Sequence, residues 1–406
     1  MGERVTKEQF AREQVVAFRL GTHHLADRLP RQRQAAAVGA CGIQNSPPGS
    51  ALLAVHARLD GVTEAGLATA VDEDKSLLLT WCMRGSPYLV PTDEAAVFTT
   101  GVLPTTEGAT RRFILGVEQS LDRLEMSIAD TVGLVDEAVR AVLRGRRLAI
   151  DQLGVEVAAR VADRLSPSAR DVWEQEGPHA PGQPIGEAVV HFCVRILTLQ
   201  QVLCFAPRIE NKAPFVLTDE WLSEPIPSLS PEAARSELLR RYLHTYGPST
   251  RAAFATWLGI RSGDAGPWWD LLADDMVPVA VEGTGRNTTA WMLADDVDAM
   301  RAASLPQGVR LLPPRDPYTQ LRDRTTIVDK SRHRQVWQRS GDPGTVLVDG
   351  EIVGTWRPRK SGRTLTVRVE PFGALTRRQE KGIRDEADTI APLRGASAVS
   401  VELAGA

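Results

Sequence analysis

The stretch Ala234–Ile260, ARSELLRRYLHTYGPSTRAAFATWLGI, decides how the chain is to be read. Leu238, Leu239, Tyr242 and Leu243 recur at helical spacing, so the first half is an amphipathic helix. Gly247-Pro248 stops it, Ser249 or Thr250 can cap the next segment, and AAFATWLGI reads as a short second helix. WWDLLADD then reads as a third helix. MVPVAVEG and NTTAWMLAD alternate as strands around a turn at 283–287. Helix, glycine-containing turn, helix, helix and hairpin is the order of a winged helix-turn-helix.

Working outward, the same grammar recurs twice upstream. EQFAREQVVAFRLGTHHL, PPGSALLAVHARL and TEAGLATAVDE read as three helices, and LLLTWCMRG with SPYLVPT as a hairpin turning at Arg84-Gly85. A weaker copy comes next: VDEAVRAVLRG and LAIDQLGVEVAARVADRL as helices, ILTLQQVLCFAP and APFVLTD as a wing, and 166–184 as a Pro/Gly-rich loop. Downstream the pattern changes. GTVLVDGEIVGTW is a hairpin at Asp349-Gly350, TLTVRVEPF a third strand, LTRRQEKGIRDEADTIAPL a helix and SAVSVEL a last strand. The fold expected is α+β and mainly helical. Three tandem winged helices (1–110, 111–228, 229–300) precede a β-rich, barrel-like domain at 301–406.

Composition is compatible with this. At 406 residues, 43% hydrophobic and 24% charged, the chain is long enough for several cores. No apolar run approaches the roughly 18 residues of a membrane span, and the charged N-terminus carries no signal-peptide core. A cytoplasmic, nucleoid-associated monomer is expected. Cys41, Cys82, Cys193 and Cys204 sit singly in apolar runs, as buried thiols do, and no C-x-x-C pair suggests zinc. His23-His24 has no third ligand nearby, and Trp268-Trp269 reads as core packing. The net charge of −3 hides an uneven distribution. Between 355 and 384 nine basic residues, Arg357 and Arg359 among them, face two acidic ones. Arginine suits phosphate and base-edge contacts, although an arginine-rich composition also results from a GC-rich genome.

Five segments carry a resemblance: GIQNSPPGSALLAVHARL, TWCMRGSPYLVP, LLRRYLHTYGPSTRAAFATWLGI, LLPPRDPY and VLVDGEIVGTWRPR. In order and spacing they are similar to the AlkZ/YcaQ superfamily of bacterial winged-helix DNA glycosylases. The resemblance implies three winged helices and a C-terminal β domain curved around double-stranded DNA. It implies an enzyme without cofactor or metal that removes N-alkylated purines, including bulky adducts and crosslinks; some relatives protect a producer from its own genotoxin. It also places the family's Gln-x-Gln or Gln-x-Asp motif on Gln44, Asn45 and Ser46. Serine replaces the second amide or carboxylate.

An N7-alkylated guanine is already a cationic leaving group, so neutral polar groups that orient water can suffice. Gln44 can accept from that water and Ser46 can hydrogen-bond it, while Asn45 adds an amide. The same Q-N-S-P-P run also reads as a helix entry with no chemistry attached. His56, Arg58, Arg84, Arg315, Tyr318, Arg357 and Arg359 are the expected DNA contacts. The alternative function is a winged-helix DNA-binding protein without catalysis, as a regulator or a lesion sequestrant.

Overall fold

The computed structural model describes residues 8–113, 117–178, 180–282 and 289–404. It is a mixed α/β architecture of two compact units, each assembled from separated pieces of chain. One comprises Met1–Thr69, Leu239–Phe254 and Leu272–Ala406, the other Ala70–Leu238 and Ala255–Leu271. This division runs across the four consecutive segments read from the sequence, whose helix-turn-helix order stands as a proposal about how the chain is organised.

In the second unit, the helices Ile128–Leu143, Ile150–Ala162 and Ile185–Leu199 pack on one another. Ile128, Val132, Val135, Val139 and Val142 form the buried stripe of the first. Ser127 opens that helix, its Oγ accepting from Asp130 N–H at 3.0 Å. Beside them lies a sheet in which Pro214–Leu217 is flanked by Leu148–Ala149 and Leu203–Phe205. The expected loop at 166–184 contains a helix, Pro167–Trp173, because Ser166 Oγ caps Ala169 N–H at 3.3 Å and Trp173 is buried. A hairpin of Leu77–Trp81 and Pro87–Pro91 belongs to the same unit.

The first unit holds a five-stranded sheet ordered Val309–Leu312, Gly344–Val348, Glu351–Ser361, Thr364–Pro371, Ala398–Leu403. The last pair is parallel and the others antiparallel. The sheet is open, with two edges, which corrects the barrel-like expectation. Closure is unnecessary because the helix Arg377–Ile390 covers one face, placing Ile383, Ala387 and Ile390 against Val346, Trp356, Leu365, Val367 and Val369. Asp349 (φ 49°) and Gly350 (φ 88°) make the tight turn expected of Asp-Gly. Gly344 is required where it stands, since a Cβ would fall 2.3 Å from Trp356 Nε1 and 2.5 Å from Leu312 O, the pair joined there by a hydrogen bond.

Two further expectations change. The N-terminal helix begins at Arg12, because Glu8–Phe10 form a strand parallel to Met276–Val281, which also pairs with Ala290–Leu293. WWDLLADD is not one helix: Gly266–Trp269 is a single α-turn and Asp270–Asp275 a 3-10 segment. The expected turn at 283–287 lies outside the described residues. Trp268 and Trp269 are buried, as are all four cysteines, which are free thiols.

Candidate active site

The helix Ser50–Arg58 is the spine of the candidate site. Its entry is held by the residues before it. Asn45 Oδ1 accepts from Gly49 N–H at 2.9 Å and from Ala51 N–H at 3.4 Å, and Ser50 Oγ donates to Gln44 O at 3.2 Å. Asn45 therefore commits its carbonyl oxygen to capping, the helix-entry role. Gln44 ends the short strand Ile43–Gln44 and is 4% exposed; Ser46, two residues on, is half-buried. Every residue of the helix is buried, with Leu52 and Leu53 joining the core under the five-stranded sheet. The segment carrying Gln44 is thus fixed at the margin of a core and does not hang on a free loop.

The far end of this helix carries two residues expected at DNA, and both are buried. Arg58, 1% exposed, donates from Nη1 and Nη2 to the two oxygens of Asp316 at 2.8 and 2.7 Å, and from Nη1 to Ala54 O at 2.9 Å. Burial works to lower its pKa, and the Asp316 carboxylate outweighs it, so the guanidinium is held above its ordinary value. In this structure the charge is enclosed and fully paired within the chain. His56 sits with its ring nitrogen 2.9 Å from Thr389 Oγ1, and Arg28 donates to His56 O at 2.8 Å and to Glu386 at 2.6 Å. Burial, helped by Arg28, pulls the His56 pKa down to about 4.

The Arg315–Tyr318 loop divides its residues. Arg315 points out, ion-paired with Asp342 at 3.6 Å, whereas Asp316 and Tyr318 point in. Asp316 Oδ1 also accepts from Tyr318 N–H at 2.9 Å. Tyr318, 1% exposed, packs edge-on against His23, and burial pushes its phenol up. In this structure it packs in the interior. His23 and Cys41 complete this interior cluster: His23 Nδ1 lies 3.8 Å from Cys41 Sγ, and Tyr246 Oη donates to Pro317 O at 2.8 Å. Among the described residues no group of three or more His, Cys, Asp or Glu is placed to hold a metal ion.

Arg357 and Arg359 stand apart from this cluster. Both are exposed on the face of the Glu351–Ser361 strand opposite to Trp356. Arg357 lies directly across from Arg368, and Arg359 from Thr366. Arg84, in the second unit, is half-buried and committed: it donates to Tyr88 Oη at 2.8 Å and to Trp257 O. Its turn is a packed corner, which corrects the picture of a free wing tip. Two participants escaped the sequence reading, Asp316 as the partner of Arg58 and Glu386 as that of Arg28. Only their acidic character marked them.

Residues 37–393 match the family described as DNA glycosylase AlkZ-like. The chain is 25% identical over 405 residues to an interstrand DNA cross-link repair glycosylase of Streptomyces sahachiroi, covering 96% of this chain and 98% of that protein. The solved structure of the Streptomyces sahachiroi DNA glycosylase AlkZ matches with a TM-score of 0.74 and 23% identity, over 97% of this chain and all of that one. At that identity the structural likeness concerns the fold.

Proposed function

The chain belongs to the AlkZ-like DNA glycosylase family, and from that premise we propose that it hydrolyses the N-glycosidic bond of N-alkylated purines in duplex DNA, crosslinked ones included. The observation that carries this reading is the position of Gln44: the family motif's first glutamine, buried at the end of a strand and anchored through its own carbonyl to the motif helix. The relative named for crosslink repair supports crosslinked purines as the substrate class. Protection of a producer against its own alkylating product is the role such chemistry would serve.

In the reaction, water adds to C1′ as the bond to N9 breaks. The bonding pair returns to the base and neutralises the charge that the alkyl group had placed on it. The water's second proton leaves to solvent. Because the leaving group is cationic at the outset, the protein has to place the water and steady the sugar's developing charge. The Gln44 side-chain oxygen accepts from the water, and Ser46 Oγ holds it from the other side. Asn45 supports both by capping the helix. The product is an abasic site, with no strand cleavage.

Serine in the second motif position favours a second reading, a DNA binder without catalysis. A duplex bearing one N7-alkylguanine separates them, with EDTA present and alkali used to reveal abasic sites. Base release is expected from the wild type, reduced roughly tenfold to a hundredfold in Ser46→Ala and more in Gln44→Ala. Tight binding with no release across small and bulky adducts would establish the second reading.

A further inference from the structure

The hairpin of Leu203–Phe205 and Pro214–Leu217 continues past its last paired residues, Phe205 and Phe215, into a loop that closes on itself. Ala206 N–H donates to Pro214 O at 2.8 Å, and Ile209 and Lys212 exchange two backbone hydrogen bonds of 3.0 Å. At the apex Glu210 holds φ at 53°, a left-handed backbone uncommon outside glycine. The tip is a defined shape. Ile209 stands on it 64% exposed, ahead of Val155 at 58% among the exposed large hydrophobics of the described residues.

One exposed isoleucine needs no explanation. Its surroundings give this one a direction. Arg208 donates to Asn211 O, and Lys212 Nζ meets Asp151 Oδ2 at 2.5 Å. Asp151 lies one turn before Val155 on the helix Ile150–Ala162, so the two share a face. Among the described residues the two most exposed large apolar side chains thus belong to one helix face and one hairpin tip, tied together by an ion pair. At the tip, cations bracket the apolar residue on both sides. Its β-branched side chain is stiff.

We propose that this tip is a wedge for duplex DNA: Ile209 enters the minor groove and presses between base steps while Arg208 and Lys212 lie over the flanking phosphates. A narrow apolar point with a cation on either side complements a stacked interior walled by anions, Lys212 exchanging Asp151 for a phosphate as the tip enters. A protein partner would call for a broader apolar patch, whereas the carboxylate of Glu210 and the amide of Asn211 stand beside Ile209. The inference rests on the reading of this protein as one that acts on DNA. It adds the contact that opens the stack.

The test uses the full chain and a short duplex holding a tetrahydrofuran abasic-site analogue beside 2-aminopurine. Anisotropy reports affinity and 2-aminopurine emission reports unstacking. Wild type brightens the reporter. Ile209→Ser loses the brightening and binds roughly tenfold weaker, the equivalent of one stacking contact, while Ile209→Leu keeps both. Arg208→Gln with Lys212→Gln lowers the slope of log affinity against log salt by about two and still brightens the reporter at saturation. Thermal midpoints stay equal, since all three positions are exposed.

Ile209→Ser with wild-type affinity and brightening would overturn the wedge, and a tip that serves a protein partner gives that result. A wild type that leaves the reporter dark overturns it too. Base release on a lesion duplex keeps the two readings apart. Brightening without release retains the wedge and sinks the glycosylase; release unchanged in Ile209→Ser, with brightening unchanged, sinks the wedge alone.

Discussion

The helix Ser50–Arg58 and the outward face of the strand Glu351–Ser361 both carry arginine, and they treat it in opposite ways. Arg58 is enclosed, with both guanidinium arms on Asp316 and a third bond to the helix backbone. Arg357 and Arg359 lie in the open. Arg357 donates to Gln338 Oε1 and Gly341 O, each at 2.8 Å, and stands opposite another arginine, Arg368. Like charges directly across a sheet are unfavourable unless an anion offsets them. Arg368 has Glu370 only at 3.7 Å. The first arrangement is complete without a ligand; the second leaves positive charge facing outward. Arginines that look equally suited to DNA in the sequence therefore separate by what surrounds them.

The strongest way to break this contrast is to remove one half of the buried pair. Asp316→Ala should lower unfolding stability by about 3–5 kcal/mol, because it strands a charge in the core. The double change Arg58→Met with Asp316→Leu should recover part of that loss, since apolar residues replace the buried ion pair while Tyr318 N–H still loses its acceptor. Urea unfolding of the three proteins checks it. A single variant within about 1 kcal/mol of wild type would mean that water reaches Arg58 and that the interior reading is wrong.

The second test sharpens the contrast through pH. His56 is held neutral in the folded protein, with a pKa near 4, among Arg28, Arg310, Glu386 and Thr389. Unfolded, it titrates near its ordinary 6.5. Between those values the unfolded chain binds the extra proton, so stability is full above about pH 6.5 and falls as pH drops towards 4. The loss through this group is about 3 kcal/mol at most. His23, which burial also pulls down, works in the same direction. The informative measurement is therefore the difference: His56→Gln should show a flatter pH–stability curve over that window than wild type.

How far such distinctions can be read from sequence depends on range. Local pattern found the helix Ile150–Ala162 and the second half of Ile128–Leu143, though not its start at Ile128, and Asp-Gly placed the turn at 349–350, because those signals are local. Asn45 as a cap was one of two readings of the same five residues, and local chemistry could pose that choice without deciding it. The pairing of Arg58 was hidden because its partner lies 258 residues away. Glu8–Phe10 looked like the start of a helix because the strand that claims it begins at Met276. The sheet reads as strands in either form, and only the helix laid over one face shows why it stays open. The family was legible because five short segments kept their order over the chain's length, and residues 37–393 match it. At the candidate site Gln44 was legible by motif, whereas the interior network behind it was not.

The smallest effect on stability belongs to the open face, and it tests the other half of the contrast. Arg357→Gln and Arg359→Gln should each leave unfolding stability within about 0.5 kcal/mol of wild type, as exposed substitutions do. Their effect should appear in DNA binding. If each arginine neutralises one phosphate, each substitution lowers the slope of log affinity against log salt by about 0.9, equally for undamaged and damaged duplexes. Paired substitution should lower it by about twice that. A slope unchanged in the pair would show that the charge on this sheet face meets no phosphate. A slope that changes only with damaged duplex would place these arginines beside the lesion, closing the distinction between a positioning surface and the chemistry proposed at Gln44.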